Sequence, residues 1–477
     1  MIRSPASTVG FAFSLAAGAV CVLALMGERE ANACGGCFHP PTQVASDITD
    51  ERMLLSVSTK QTTLYDQIRY SGNPSSFAWV LPIHGSVDVG LSADVLFSAV
   101  DTLTATQITP PPQNCPGLPA SCQSNGGFAS SAPSAADGAA GGVTVTKQEN
   151  VGPYATVQLH PTNPNDPGAL TKWLADNGFA IPTDVQSVIA QYTKEGFDFL
   201  AMKLLPNQGI QAMRPVRVSA PGASLTLPLR MAAIGTGASV GITIWVVSDG
   251  RFEPQNFPMY HIEDKDLVWD WTVNASNYTT LRAQNESSFA GKGWEMESSL
   301  TLNQQLVTNV IQSGGVYYGG GGVGGAPSSQ ASDDYLPVLA DANSPAGMSA
   351  EEVRAADIAA LFSGMAGPNV RVTRMRSDIS HAAMTTDFVL QASPDQSEIP
   401  NVRTVTKAVN LQCPVYKDCS IVGYASPDKA AAMTAGNSNG GGGCKTTSPP
   451  TGMNDLALAA VGGLGFVLSR VLRKRRK

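Results

Sequence analysis

Charge is scarce in this chain. Of its 477 residues only 14% are charged and 7% aromatic, and five are histidine. His39, His84, His160, His261 and His381 are scattered, and none forms an H-E-x-x-H pair, which excludes that zinc-protease arrangement. The Gly-rich run at 314–325 lacks Gly-Lys-Ser/Thr and a flanking strand and helix, so it is no phosphate loop. Sparse charge together with 47 Gly and 32 Pro argues against a helical bundle and for a β-rich, turn-rich protein.

The apolar runs that matter lie at the two ends. Arg3 gives a positive start, Val9 to Met26 is apolar apart from Ser14, and Ala31-Asn32-Ala33 offers small residues for cleavage. This pattern predicts a signal peptide over 1–33, cut after Ala33, so that the mature chain begins at Cys34. The apolar run also approaches the length of a retained N-terminal anchor. Neither Cys21 nor Cys34 has the Leu-x-Gly/Ala-Cys context of a lipoprotein.

At the other end a polar, Gly-rich stalk over 434–455 contains Cys444, an apolar segment follows over 456–472, and basic residues fill 473–477. Leu456 to Leu472 would span roughly 26 Å as a helix, a little under the roughly 30 Å hydrocarbon core of a bilayer. Gly462, Gly463 and Gly465 weaken that helix. Basic residues beside an apolar span stay on the cytoplasmic side, which places the preceding chain outside. The arrangement of Gly443-Cys444, spacer, apolar run and basic cluster resembles the C-terminal surface-sorting signals of myxobacteria. That resemblance implies processing or lipidation at Cys444; a simple single-pass anchor is the alternative.

The whole chain carries a formal charge of −7, of which 445–477 contribute +6 and 1–33 contribute zero, leaving −13 for 34–444. This excess argues against nucleic acid and anionic lipid as partners of the exported part. The expected partners are the membrane, through the tail, and the export and sorting machinery. Six cysteines fall in three close pairs, Cys34/Cys37, Cys115/Cys122 and Cys413/Cys419. In an oxidising compartment these predict three local disulfides.

Between the ends the pattern is α+β: antiparallel or mixed sheets with a few packed helices. One β-rich part is expected over 34–312, with a Gly/Ala/Ser-rich insertion at 124–142. A linker or loop follows over 313–334, and a C-terminal part over 335–433. Predicted strands are 64–70, with Leu64, Ile68 and Tyr70 on one face and Tyr65, Gln67 and Arg69 on the other, then 77–81, 197–205, 215–219 and 242–247. The first helix is signalled by Asp166 as cap, Pro167 at N1 and Gly178 as stop. Thr183 and Gln186 form a capping box for the second, and Ser349 and Glu352 for the third, whose face is Val353, Ile358, Leu361 and Phe362.

Several segments resemble an uncharacterised bacterial family, domain of unknown function 2330. They are Cys34-Gly35-Gly36-Cys37-Phe38, Phe77-Ala78-Trp79-Val80-Leu81-Pro82-Ile83, Gly196 to Leu204, Leu227-Pro228-Leu229-Arg230-Met231-Ala232-Ala233, and Val372 to Arg376 with Met384-Thr385. Cys37 departs from the pattern where an aromatic is expected, and 124–142 looks like an insertion. The resemblance implies export and surface association and lends no catalytic residues.

Three clusters invite chemistry. Gly237-Ala238-Ser239-Val240-Gly241 matches G-x-S-x-G, but the elbow needs a strand before the serine and a helix after it, and here a predicted strand follows. Asp264 or Asp270 with His381 would complete a trio; a small-residue turn is the plainer reading. Cys34, Cys37 and His39 could bind zinc only with a fourth ligand, and a disulfide or N-terminal hook is favoured. Glu263, Asp264, Asp266 and Asp270 offer carboxylates for calcium without the EF-hand spacing, and a solvated acidic edge is favoured. No cofactor is expected. The sequence therefore points to an exported, surface-anchored, non-enzymatic envelope protein of unknown ligand, with a secreted serine hydrolase using Ser239 as the rival.

Overall fold

The computed structural model describes residues 37–38, 48–67, 78–115, 148–162, 167–176, 183–205, 212–234, 236–315, 334–338, 347–417 and 420–437. The expected signal segment with Ala33, then Cys34, Cys122, the 124–142 insertion, Cys419, Cys444 and the tail at 456–477 lie outside them. No helix among the described residues is long and apolar enough to cross a membrane.

The chain divides into two compact units, each assembled from three segments. The first draws on Met1–Gln107, Ser134–Ile262 and Arg282–Asn401, the second on Ile108–Pro133, Glu263–Leu281 and Val402–Lys477. The first unit begins with strands β1 (Cys37–Phe38), β2 (Ile48–Val57), β3 (Gln61–Gln67), β4 (Ala78–Ile83) and β5 (Asp88–Leu91), then helix α1 (Asp94–Thr104). Next come β6 (Gln148–Val151), β7 (Tyr154–Leu159), α2 (Pro167–Asp176), α3 (Thr183–Lys194), β8 (Asp198–Leu204) and β9 (Val216–Pro221). The short helix α4 (Leu229–Ala232), β10 (Thr236–Ser248) and β11 (Met259–Tyr260) follow. Then come β12 (Trp294–Asn303), α5 (Gln304–Gln312), α6 (Ala350–Leu361) and β13 (Asn369–Ser380).

Among the described residues these strands form an eight-stranded mixed sheet, β11-β12-β13-β10-β2-β3-β9-β5, and a five-stranded antiparallel sheet, β1-β4-β8-β7-β6. The fold is α+β. Strands β12 and β13, on either side of the Gly-rich stretch 313–334, pair with each other. Strand β4 divides two cores because its side chains alternate across the sheet. Trp79, Leu81 and Ile83 join the core that also holds the large sheet, while Val80 packs with Leu170, Leu174, Ile189 and Tyr192 of α2 and α3.

One row of residues crosses the helix-covered face of the large sheet: Arg374, Trp245, Leu54, Tyr65, Arg217 and Gly90, in register on adjacent strands. Each arginine is tied to a helix. Arg374 donates to Asp101 of α1 and to Glu297 of β12, and lies over the Trp245 ring. Arg217 Nη1 lies 3.4 Å from Asp357 of α6. Asp357 is fully buried and also accepts from Ser92 Oγ at 2.7 Å and Tyr335 OH at 2.8 Å. A Cβ at Gly90 would sit 2.5 Å from Arg217 Nη2, so a larger residue there would push the guanidinium from its place over β5.

Tyr65 departs from expectation. By sequence alternation it shares its face with Gln67 and Arg69, opposite Leu64, yet it is wholly buried and donates to the Asp357 carbonyl at 3.0 Å. The reason is that this sheet is covered on both faces, so a polar face does not mean a wet one. Strand β10 also runs further than expected. It takes in the small-residue stretch 237–241, which the sequence reads as a turn, with a register irregularity against β2 between Thr236 and Gly241. Small residues tolerate that bulge without leaving the sheet. At the outer edge of the large sheet the Gln158 amide accepts from Val87 N at 3.1 Å and donates to Val87 O at 2.7 Å.

In the second unit, β14 (Cys413–Lys417) and β15 (Ser420–Ala425) form a hairpin on which α7 (Pro427–Asn437) packs. Cys413, Val415 and Ala430 make its small core. Cys115 is bonded to Cys413, 298 residues away. This corrects the local pairings Cys115/Cys122 and Cys413/Cys419. A disulfide follows proximity in the fold, and the inward-facing Cys413 meets the segment around Cys115 rather than its sequence neighbour.

Two consequences can be measured. Burial raises the Asp357 carboxyl to about 6 and the Asp66 carboxyl, between the sheets, to about 7. Both bind a proton more tightly folded than unfolded, so stability is full below about pH 4 and falls as pH rises through these values. Asp66 Oδ1 has no hydrogen-bond partner among the described residues. Asp66→Asn should therefore stabilise the protein by on the order of 1–3 kcal/mol at pH 8 and leave it unchanged near pH 4, as read by urea unfolding across pH. Reduction of Cys115–Cys413 should destabilise the second unit by about 2–5 kcal/mol. Calorimetry with and without reductant checks this, and non-reducing peptide mapping should link the two cysteines.

Candidate functional site

Three of the motif segments singled out in the sequence meet in space. Leu81, Pro82 and Ile83 of β4, Phe197 at the end of α3, and Leu227 and Pro228 before α4 line one slot of about 300 Å³. The opposite wall comes from the large sheet. Leu55, Leu64 and Val218 stand in register on β2, β3 and β9, and Thr62 and Ala220 form the next row out. The slot therefore lies between the two sheets, where side chains too small to close the gap leave space. His84, Pro221, Ala223 and Thr226 are exposed and mark its mouth, while Leu55, Leu81, Val218 and Leu227 are buried at its depth.

The loop carrying His84 is held from two sides. Gly85 N donates to Asp198 Oδ2 at 3.0 Å, and the Gln158 amide holds Val87. The His84 ring lies against Phe197, with centroids 4.0 Å apart, and Phe197 meets Tyr192 edge-on at 5.1 Å. These contacts fix an aromatic wall at the mouth.

Arg230 organises the other side. Helix α4 is one turn long, and its neighbours along the chain divide between the cores, Leu229 to one and Met231 to the other. Arg230 between them binds Glu195 through both nitrogens at 2.7 Å and Asp387 Oδ2 at 2.6 Å. Its guanidinium lies 4.2 Å above the Tyr192 ring, and Tyr192 OH donates to Asp387 Oδ1 at 2.5 Å. Asp387 in turn lines the slot. The Glu195 bond, then the Asp387 bond, pushes the Arg230 guanidinium up, Arg230 holds Glu195 below the ordinary glutamate range, and burial followed by Asp387 raises the Tyr192 phenol. Asp387, Glu195 and Tyr192 were not recognised as partners in the sequence. The available signal was Arg230 itself, a lone cation within the apolar run 227–233.

The other sequence candidates are placed elsewhere. Ser239 is exposed within β10, opposite Ser380 of β13, so a strand surrounds it and no strand-to-helix elbow exists. His381 opens a short helical turn after β13. Asp264 and Asp270 belong to the second unit, where Asp264 meets Arg403 at 3.4 Å and Asp270 accepts from Thr272 and Asn410. Glu263 pairs with Lys265 at 2.5 Å. Among the described residues no group of three or more His, Cys, Asp or Glu could hold a metal ion. Cys37 lies in β1, and His39 falls outside the described residues.

The chain belongs to the family described as an uncharacterized protein conserved in bacteria, DUF2330, whose model matches residues 29–390. Comparison with curated proteins and with solved structures gives no match. Every residue that lines the slot falls inside the matched span, whereas the hairpin β14–β15 and α7 lie beyond it.

Arg230→Lys should cost about 2–3 kcal/mol, because an ammonium keeps the charge but loses the two-pronged bond and the stacking over Tyr192. Glu195→Gln, at the half-exposed end of the cluster, should cost under about 1 kcal/mol. Urea midpoints at unchanged slope would give both values.

Proposed function

We propose that this DUF2330 member is exported, held at the cell surface, and acts there as a non-enzymatic binding module whose ligand site is the slot between the sheets. The observation that carries the reading is the convergence of the segments 77–83, 196–204 and 227–233 on one slot. A purely structural role for those segments would ask only that they close the core, and they leave it open. The one carboxylate that lines the slot, Asp387, is committed to Arg230 and Tyr192. A concave, mostly apolar site with few polar groups suits binding rather than bond-breaking.

Export is supported by the pattern at 1–33 and by the Cys115–Cys413 disulfide, since such bonds persist in oxidising compartments. Surface attachment is supported by the apolar segment at 456–472 and its basic end. The strand context of Ser239 weighs against the hydrolase reading.

Cell fractionation with protease treatment of intact cells tests the placement. The protein should partition with the envelope, start at Cys34 and be trimmed from outside; a cytosolic protein with free thiols would overturn the proposal. A serine-reactive phosphonate should leave Ser239 unlabelled on the folded protein, and a stoichiometric adduct there would end the non-enzymatic reading.

A further inference from the structure

The slot has dimensions that select a ligand. Sheets packed face to face stand about 10 Å apart, whereas a helix with its side chains is about 10–12 Å across. Side chains from both walls occupy part of that spacing, so the gap is too narrow for a helix. Its volume, about 300 Å³, corresponds to about ten groups of water or methylene size. The deep end is formed by Leu55, Leu81, Val218 and Leu227, all buried. Exposed residues gather at the mouth, where His84 and Thr226 face water. The buried polar residues of the lining have partners already, Thr62 with Gly222 O and Ser224 N, Asp387 with Arg230 and Tyr192. A space that is largely apolar within and wet at one end matches a molecule built the same way.

We propose that the slot binds the hydrocarbon chain of a free single-chain amphiphile, of the medium-chain fatty acid class. The tail lies among Leu55, Leu81, Val218 and Leu227, and the polar head stays at the mouth beside His84 and Thr226. The assignment rests on the slot being the ligand site, and it names what that site takes. A volume of about 300 Å³ holds about ten heavy-atom groups, fewer than one helical turn with its side chains contains, so a folded protein segment does not fit. Displacement of whatever water fills an apolar slot favours such a tail, and each methylene buried strengthens binding about fourfold.

The test is calorimetric titration of the full-length purified protein with straight-chain carboxylates from six to fourteen carbons. Saturable one-to-one binding is expected, tightening about fourfold per methylene and levelling off near ten carbons, where the volume is filled. Ala223→Trp, at the exposed mouth, should weaken decanoate binding at least tenfold, and Ala220→Phe, which fills the slot from its rim, should do the same. Val273→Ser, in the second unit, should change nothing. Absence of saturable binding at every length would overturn the proposal, as would affinity independent of chain length or undisturbed by Ala223→Trp. Binding to phospholipid vesicles without binding of free carboxylate would overturn it too, by assigning the interaction to a bilayer. Failure of the titration with envelope placement intact removes the ligand class alone, whereas failure of placement leaves chain binding by the purified protein unaffected.

Discussion

The first unit depends on two arginines buried against one sheet face. A guanidinium taken out of water must be met by a carboxylate in a fixed place, because an uncompensated buried charge costs several kcal/mol. Arg374 and Arg217 stand near opposite ends of a single cross-strand row, and each is met by a helix carboxylate, Asp101 and Asp357. Helices α1 and α6 can each then sit in one register only. Such pairs contribute little net stability over an apolar alternative. Their effect is on placement, and the placement of α6 over β3, β9 and β5 leaves the opposite face of β3 and β9 to form part of the wall of the slot.

The elements that were legible in the sequence carry their own local signals. The capping box of Ser349 and Glu352 is present at α6, and Pro167 opens α2. Strand β4 and the core of β10 read as apolar runs bounded by turns. Helix α1 was invisible for a physical reason. Its cap is not local: Ala93 offers no side-chain bond, and the first amides, Asp94 N and Val95 N, donate instead to Asp334, some 240 residues later. Its buried residues Val95, Leu96, Phe97, Ala99, Val100 and Leu103 also leave no clear polar stripe. The disulfide was misread for the same kind of reason, since spacing along the chain says nothing about which loops meet.

The site was half legible. The segments 77–83, 196–204 and 227–233 were marked as motifs, but their meeting requires the pairing of β4 with β8 and the one-turn helix α4. Asp357 could have been noticed. It falls between Val353 and Leu361 at four-residue steps, so an acid sits in the middle of an otherwise apolar stripe. Its partner Arg217 could not, because the pairing spans 140 residues and two elements. Charged groups inside apolar patterns are the part of such a sequence that most rewards suspicion.

The paired bonds between the Gln158 amide and Val87 have one more effect. An amide side chain presents the same donor and acceptor as a peptide unit, and here it occupies the rim of the large sheet at the entry to β5. An incoming strand from another molecule finds that rung already taken. This blocks one route by which neighbouring copies would otherwise zip together into fibres.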